Sequence, residues 1–442
     1  MAARMPGPTN ASSSSLLYKL DDRMPQRRAA LIGLQHVMAM FVGIITPPLI
    51  LARSLELDPP MSAYLISMAL IASGLSTLVQ VQAWGPVGSG LLSTQGTSFS
   101  FLSPLLQAGR LGGLPLMLGM SLATAPVEML LSRLVSRLRR IFTPLVSGIV
   151  VLLIGLSLVP VAAQSIAAPL APGAPAWAGL ALAGGVIALV VALHILGRPW
   201  ARMSAVAIAL LAGYAICAAA GQLVLSAPIA ERWLLLPLPF RFGLAFRWEL
   251  AVPFLLIYIL TAIETMGDLT ATSQLSEEPI EGPLYWRRIR GGILADGVNS
   301  ALAAVLNSFP NTTFSQNNGV IQLTGVASRQ AGVWVALFLC LFGIIPSIGH
   351  GLAIMPAPLL GGLTLLLFGL VAAAGVRILQ QARLDHRDML IAALALSAGL
   401  GVQAAPELLE ALPESARLIF QSPITTGGLL ALLLNAALPR ED

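Results

Sequence analysis

The chain has 442 residues, of which 56% are apolar and 10% are charged, and its mean hydropathy is +0.83. Soluble domains of this length do not have this composition, so the sequence predicts a polytopic membrane protein. The formal net charge is +5, but Lys19 is the only lysine, and a Walker-type phosphate loop needs a lysine after its glycines. ATP-driven transport by this chain alone is therefore not expected.

The N-terminal segment, residues 1–28, is polar and carries a serine run and several basic residues. It contains no apolar stretch ahead of a small-residue cleavage site, which argues against a signal peptide. We expect a short cytoplasmic N-terminal tail.

Apolar windows long enough to cross about 30 Å of hydrocarbon recur along the whole chain, and we predict fourteen membrane spans. The uninterrupted windows lie at residues 29–52, 61–82, 113–132, 143–163, 175–197, 202–224, 250–273, 291–307, 331–352, 356–376, 388–405 and 420–438. Two further windows, 86–108 and 309–326, are interrupted by polar residues, glycine and proline.

The placement of charge gives an independent check on this topology. With the N-terminus inside, most of the 25 basic residues fall in the tails and inside loops, including Arg137, Arg139, Arg140, Arg287, Arg288 and Arg290. The positive-inside rule therefore supports an even number of spans with both termini in the cytoplasm.

A sequence repeat relates the fifth predicted span to the twelfth. The segments 144–156 and 358–370 share proline, glycine and leucine positions at a constant offset. Because seven spans separate the two copies, the second copy is inverted in the membrane relative to the first. Two inverted seven-span repeats are typical of secondary transporters, although each motif alone also fits ordinary helix packing.

The tenth predicted span, 309–326, is too polar and too broken for an ordinary membrane helix. Pro310 ends any preceding helix, and residues 312–314 favour a short strand. Ser315 is a candidate N-cap for a half-helix that starts at Gln316.

The repeat pairs this tenth span with the third span. Residues 88–104 again combine glycines, hydroxyl side chains and a break before a short apolar run. We expect the two interrupted spans to meet near the midplane of the bilayer, where half-helix N-termini offer hydrogen-bond donors.

Ionisable side chains inside spans are costly and therefore indicate function. Glu264 and Asp268 are four residues apart on the eighth span, Asp296 lies in the ninth and His36 in the first. Apart from His36, no basic residue lies in mid-span, so these carboxyls must be protonated or paired with substrate and backbone N–H groups. A proton-coupled binding site has this requirement.

Structural interpretations stay open for some of these residues. His36 alone also fits a packing histidine, and Asp296 also fits a carboxylate that holds the half-helix. Glu128, in the fourth span, is expected near the inner end with its carboxyl reaching toward the headgroups. Cys217 and Cys340 have no metal-ligand spacing and fit buried packing residues, and we expect no metal and no organic cofactor.

The side chains of Gln316 and Glu264 suit a flat heterocycle. A carboxamide offers a donor and an acceptor to adjacent atoms of a lactam ring, and a carboxylate can accept a ring N–H. A simple inorganic anion fits less well, because Glu264 and Asp268 would repel it. A membrane-embedded enzyme is not expected, since no metal cluster or nucleophile–base pair lies in the spans.

The sequence resembles the nucleobase–ascorbate transporter family, also called nucleobase:cation symporter family 2. The segments Gln316-Asn317-Asn318-Gly319 and Thr324-Gly325 match the specific family signature, and the resemblance covers roughly residues 20–438. The motifs around Gln35-His36, Glu264 and Ala295-Asp296-Gly297 fall where members carry functional residues. The resemblance is strongest to bacterial xanthine and uric acid permeases.

This resemblance implies an all-α polytopic fold of fourteen spans, with short β-strands and half-helices in spans 3 and 10. A core domain is then formed by residues 29–140 (spans 1–4) and 250–352 (spans 8–11). A gate domain is formed by residues 141–240 (spans 5–7) and 355–442 (spans 12–14 and the C-terminal tail). The family also implies an elevator-type movement of core against gate within a homodimer.

The resemblance further implies the roles of individual residues. Glu264 binds the purine, Gln316 binds its opposite edge, and the backbone near Phe99 and Ser315 completes the site. Asn317 is a selectivity position. Proton coupling and site organisation are implied for Asp296, Asp268 and His36.

One position departs from the family pattern. Ser98 stands where xanthine-selective relatives often carry asparagine, and the smaller side chain leaves room for the 8-oxo group of urate. Gln316, in place of the glutamate that is the family's alternative, points away from uracil.

The predicted function is a proton-coupled symporter that imports xanthine, with urate as a candidate second substrate. The predicted location is the bacterial inner membrane. The alternatives are a permease for uracil or another nucleobase, and an anion transporter or channel on the same fold.

Overall fold

The computed structural model describes residues 16–141, 143–171, 173–223 and 234–439, and the side chains of residues 135–141 are outside this description. The first part of the predicted tail, the side chains of the predicted inside arginines at 137, 139 and 140, and the loop 224–233 therefore lie outside the described residues. Everything below refers to the described part.

The first half of the chain is helical apart from one short strand, β1 (Gln95–Thr97). The helices are α1 (Gln26–Ser54), α2 (Pro59–Gln82), α3 (Leu102–Ile141), α4 (Pro144–Ala167), α5 (Ala176–Leu196), α6 (Pro199–Met203) and α7 (Ala205–Ala219). Several begin at a capping side chain followed by proline: Asp58 accepts from the backbone N–H of Met61, and Thr143 from that of Val146.

The second half repeats this composition, with one strand, β2 (Asn311–Thr313). Its helices are α8 (Ala251–Leu275), α9 (Gly282–Val305), α10 (Gln316–Thr324), α11 (Arg329–Ile344), α12 (Pro346–Ala353), α13 (Ala357–Leu379), α14 (His386–Ala404), α15 (Glu414–Phe420) and α16 (Pro423–Ala437). Each uninterrupted window predicted from the sequence overlaps one of these helices.

Within the described ranges, eight helices are long and apolar enough to cross a membrane. Two bent pairs, α11 with α12 at 74° and α15 with α16 at 86°, raise the number to ten if each pair counts as one span. The prediction of a predominantly helical, multi-pass membrane protein is confirmed at this level.

Helix α3 joins two segments across a backbone break. Gly113 has a φ of 65°, in the left-handed region that favours glycine, and Gly112 before it is also non-helical. The break separates a short first segment, which follows β1, from the long second segment that contains Glu128.

The two strands form one small antiparallel sheet. Gly96 lies opposite Thr312, and all six strand residues are buried. The predicted meeting of the two interrupted segments is therefore present in the structure. Because each strand is followed by a helix, α3 or α10, the sheet sets the position of both helix starts.

Helices α4 and α13 pack along each other through small residues. Gly155 lies against the backbone of Ala372, and Gly375 lies against the backbone of Leu152. Moving along α4 from residue 152 to 155 corresponds to moving back along α13 from residue 375 to 372, so the two helices are antiparallel. They carry the two copies of the sequence repeat.

The described part of the predicted N-terminal tail is packed rather than free. The Leu17 N–H donates to the Gly325 carbonyl at 2.7 Å, and Tyr18 forms a parallel bridge with Val326. Leu20 is only 1% exposed. Residues 16–24 therefore hold the end of α10 and the turn that leads into α11.

Candidate functional site

The site is built around the two-stranded sheet and the chain that flanks it. Beyond the strand pairing, the Ser98 N–H donates to the Pro310 carbonyl at 2.9 Å, and the Phe314 N–H donates to the Thr94 carbonyl at 3.0 Å. These bonds join the chain segments that the sequence predicted to meet. They fix Ser98 and Phe314 on the same small scaffold.

Helix α10 begins at Gln316, as predicted, with Ser315 at the N-cap position. The side chain of Ser315 makes no capping hydrogen bond, and its backbone is already helical, with φ −64° and ψ −20°. The predicted side-chain cap is therefore wrong, because a capping side chain needs an extended backbone at that position. The first turn is instead closed by backbone bonds such as Asn318 N–H to the Ser315 carbonyl, at 3.0 Å.

Two predicted acids lie on one face of α8, beside the sheet. The Thr313 hydroxyl donates to Asp268 Oδ2 at 3.0 Å, which connects α8 directly to β2. The carboxyl of Glu264 lies near Asp268 and beside the hydroxyl of Ser100. No ion pair with Glu264 or Asp268 occurs among the residues that the structure describes.

Asp296 on α9 is fully buried and belongs to the same network. The Thr265 hydroxyl donates to Asp296 Oδ2, and the hydroxyls of Thr265 and Thr313 lie 3.3 Å apart. Two threonines thus connect Asp296 to Asp268 through hydroxyl groups. Gln95 on β1 is a further polar neighbour of Asp296.

His36 on α1 and Asn317 on α10 are side-chain neighbours. His36 is 1% exposed, and neither ring nitrogen has a hydrogen-bond partner among the described residues, although the Asn317 side chain is a neighbour. The Asn317 amide donates to the Leu92 carbonyl, while its own carbonyl oxygen lacks a described partner. Asn317 therefore ties α10 to the chain ahead of β1.

The remaining predicted site residues differ in exposure. Ser98 is 1% exposed and its hydroxyl lacks a described partner. Phe99 packs edge-on against Phe368 of α13, with ring centroids 5.8 Å apart. Ser315 and Gln316 are exposed, and no described intramolecular bond joins the Gln316 side chain to Glu264. The structure thus links Asp268 to Asp296, places Glu264 near Asp268 and makes His36 and Asn317 neighbours. No described hydrogen bond joins the side chains of Gln316 and Glu264.

Several buried polar atoms around the sheet have no hydrogen-bond partner in the described part of the chain. They include both amide atoms of Gln95, the hydroxyls of Thr94, Thr97 and Ser98, one carboxyl oxygen of Asp296 and both ring nitrogens of His36. Buried polar groups are usually satisfied, so a concentration of unsatisfied ones indicates a place where a polar ligand or water binds.

The carboxyl of Glu128 is not oriented as the sequence analysis predicted. It is 0% exposed, and its Oε1 accepts a hydrogen bond from the Thr261 hydroxyl at 2.8 Å. The expectation of a carboxyl that reaches the headgroups is therefore wrong. Span hydropathy does not indicate toward which neighbour a side chain turns, and here the carboxyl is turned toward α8 and α9.

Sequence reasoning also missed the threonines that link the acids. Thr261 and Thr265 lie on α8 at helical spacing from Glu264 and Asp268, which was a usable signal. The part played by Gln95 had no such signal, because it depends on the register of β1 against β2. No group of three His, Cys, Asp or Glu residues placed to hold a metal ion occurs within the described ranges.

Comparison with known proteins places the chain among permeases. The family model Xan_ur_permease, described as a permease family, matches residues 27–408. The chain is 44% identical to the xanthine permease XanP of Escherichia coli (strain K12), over 97% of this chain and 96% of that protein. It is 39% identical to the xanthine permease XanQ of the same strain, over 97% and 95% of the two chains.

Solved structures share the fold at low sequence identity. The transmembrane domain of the cyanobacterial bicarbonate transporter BicA is similar with a TM-score of 0.55 and 13% identity, covering 94% of this chain and 99% of that one. Murine Slc26a9, an anion transporter in the inward-facing state, is similar with a TM-score of 0.60 and 13% identity, covering 95% and 69%.

The fold and the site together define a membrane transport protein, with paired interrupted segments and buried acids beside them. The family match extends over most of the chain and includes the signature that begins at Gln316. The chain belongs to the nucleobase–ascorbate transporter family.

Proposed function

We propose that this protein imports xanthine, and urate as a second substrate, together with protons across a bacterial inner membrane. The observation that carries the proposal is the cluster of connected acids and unsatisfied polar atoms around the strand pair. A flat, neutral and polar base can satisfy such atoms without adding charge to a buried site. The xanthine permeases at 44% and 39% identity support the same substrate class.

In the proposed binding mode, Glu264 accepts a ring N–H of the purine and Gln316 bonds the opposite edge. Gln316 and Ser315 are exposed at the start of α10, and among the described residues the Gln316 side chain has no hydrogen bond to give up. Phe99 forms an apolar wall, and Asn317 and Ser98 determine which purines fit. The substrate would bridge the gap between Gln316 and Glu264.

The proposed topology has fourteen spans in two inverted repeats. The ten spans counted by length and composition are supplemented by α7, by α9 and by the two interrupted segments. Two observations support the inversion: α4 and α13 carry the repeat and run antiparallel, and β1 and β2 are also antiparallel. An inverted repeat predicts opposite directions for both pairs.

The proposed transport cycle moves a core domain, residues 29–140 and 250–352, against a gate domain, residues 141–240 and 355–442, within a homodimer. The contact between Phe99 and Phe368 lies at this boundary, because it joins the chain after β1 to α13. Both termini are cytoplasmic in this proposal. Asp296, Asp268 and His36 load a proton from outside, and the substrate and proton are released together inside.

Uptake of labelled xanthine tests the proposal directly. Cells that produce the protein should accumulate xanthine, and an uncoupler that collapses the proton gradient should abolish the accumulation. Cells with the empty vector serve as the control. Accumulation that persists in the uncoupler would contradict proton coupling, and absence of xanthine uptake would contradict the substrate class.

An anion transporter is the second candidate function, because structures of this fold include anion transporters. The acids beside the sheet disfavour it, since they would repel an anion. Glu264→Gln separates the two functions: it should abolish purine uptake if the first is correct. If the anion function is correct, anion flux should be unchanged or higher in the same variant.

A further inference from the structure

Glu128 is a buried carboxyl that the proposed transport cycle does not use. It lies on the second segment of α3, is 0% exposed, and receives one described hydrogen bond, from Thr261 to its Oε1. Its Oε2 has no hydrogen-bond partner among the described residues. The titratable groups that interact with it are Asp296 on α9, and Glu264 and Tyr258 on α8.

The contact between α3 and α9 places Glu128 beside Asp296. Gly297, the residue after Asp296, packs against the backbone of α3, and a Cβ added to it would lie 2.8 Å from the backbone nitrogen of Met129 and 3.2 Å from the carbonyl oxygen of Ala125. A glycine at position 297 therefore allows α9 to approach α3 closely. The two α3 residues that it contacts lie before and after Glu128 in the sequence.

A purely structural role leaves part of this arrangement unexplained. A carboxyl that only fastens two helices is expected to have its hydrogen-bonding capacity filled. Here Oε2 of Glu128 lacks a described partner, and Oδ1 of Asp296 forms no described hydrogen bond although the Gln95 side chain is a neighbour of that carboxyl. No described lysine or arginine forms an ion pair with either acid. Two adjacent carboxyls without a cation can share one proton and so avoid two buried negative charges.

We propose that Glu128 and Asp296 form a proton-sharing pair, and that Glu128 is the coupling residue that stores the transported proton away from the substrate. The inference rests on the proposed proton symport and assigns it a residue on α3. In the resting state the pair shares one proton; a second proton from outside water adds to the remaining carboxylate, and one proton leaves to inside water together with the substrate, which returns the pair to its one-proton state. Protons are balanced, because no other bond forms or breaks.

The network offers a connection from this pair to the substrate-binding region. Asp296 is bonded by Thr265, which lies 3.3 Å from Thr313, and Thr313 donates to Asp268. Binding of a purine at Glu264 can therefore influence the pair through hydroxyl groups on α8 and β2. Glu128 itself need not contact the substrate.

The test uses the purified full-length protein in liposomes, with labelled xanthine as the probe. Glu128→Gln is nearly isosteric and cannot release a proton. It should lose accumulation above the equilibrium level under an inward proton gradient, while exchange of internal for external xanthine continues near the wild-type rate. Glu410→Gln, at an exposed position with no described bond to the network, should behave as wild type in both assays.

Each outcome decides whether Glu128 has a coupling role. Accumulation by Glu128→Gln equal to wild type overturns the proposal, and loss of both accumulation and exchange in correctly inserted protein overturns it as well. If Glu128→Gln does not insert, Glu128→Met, which is similar in length and also cannot carry a proton, decides: lost accumulation with preserved exchange supports a coupling role, and any other result contradicts it. Wild-type protein that exchanges xanthine but never accumulates it would contradict proton symport itself.

Discussion

Thr313 occupies the point where the acids of α8 and α9 come together. Its hydroxyl donates to Asp268 at 3.0 Å and lies 3.3 Å from the hydroxyl of Thr265, which bonds Asp296. One β-branched residue in a three-residue strand therefore links two carboxyls on different helices. Its position on the strand follows from the register of β1 and β2.

We predict that Thr313→Val weakens xanthine uptake while the protein still folds. The change keeps the shape of the side chain but removes the hydroxyl, and leaving the partly buried carboxyl of Asp268 without that bond costs about 1–3 kcal/mol. The KM for xanthine should rise, or the maximal rate should fall, by about tenfold. Thr313→Ser, which retains the hydroxyl, is the matched control, and equal activity of valine and serine variants would contradict the role of this bond.

We predict that Ser98→Asn narrows the substrate range. Ser98 is 1% exposed, so a larger side chain must take space in which the 8-oxo group of urate is proposed to fit. One extra group in a tight pocket changes discrimination by about 1–3 kcal/mol, or tenfold and more. A competition panel of purines against labelled xanthine should show urate inhibition falling much more than inhibition by unlabelled xanthine. Equal loss for both would contradict this assignment.

Residue-level sequence reasoning succeeded where local chemistry was enough. Glu264 and Asp268 stood out because four-residue spacing puts two acids on one helix face, and both lie there in the structure. The orientation of the Glu128 carboxyl was predicted wrongly, because its environment depends on how α3 approaches α9, a contact distant in sequence. The exposed position of Gln316 was also beyond the sequence, since it depends on how α10 leaves the sheet.

At the scale of elements, the strand pair is the most constrained part of the site. Gly96 on β1 lies where a Cβ would come within 2.8 Å of the side chain of Ile44 on α1. The neighbouring helix thus leaves no room for a side chain at this strand position. The ring of Phe314 also lies against this position, so any larger residue must displace the strand, the side chain of Ile44 or the ring of Phe314.

We predict that Gly96→Ala destabilises the folded protein by about 1–3 kcal/mol, the usual cost of overpacking a buried position. The melting temperature of the purified protein in detergent should fall accordingly. Gly319→Ala is the control for stability alone, because nothing lies within 4 Å of a Cβ at Gly319. A melting temperature of Gly96→Ala at or above that of the control would show that the strand pair tolerates a side chain.

The elements themselves were predictable to different degrees. The break at Pro310, the short strand and the start of α10 at Gln316 follow from residues adjacent in sequence, and the structure has all three. The missing cap of Ser315 was not predictable, because a capping side chain depends on the backbone angles of that residue. The packing of residues 16–24 onto Gly325 was hidden as well, since it joins opposite ends of the chain.

At the scale of the whole molecule, hydropathy and one sequence signature were sufficient to predict the class of protein. The apolar windows predicted a multi-pass helical membrane protein, and the match to the permease family over residues 27–408 agrees with the signature at Gln316. The fourteen-span count stays a prediction, because several proposed spans are short, charged or interrupted and cannot be recognised by length and apolarity. The arrangement of core and gate likewise depends on contacts between distant helices.

The central claim is that the acids and the interrupted segments hold one flat base between them. Binding of labelled xanthine to purified wild type, Glu264→Gln and Gln316→Ala tests it most directly, with the exposed change Glu410→Gln as a control. Each site change removes a hydrogen bond worth about 1–3 kcal/mol, so the affinity should fall by about tenfold or more in both site variants. The control should bind as wild type does, and undiminished binding by either correctly folded site variant would contradict the account.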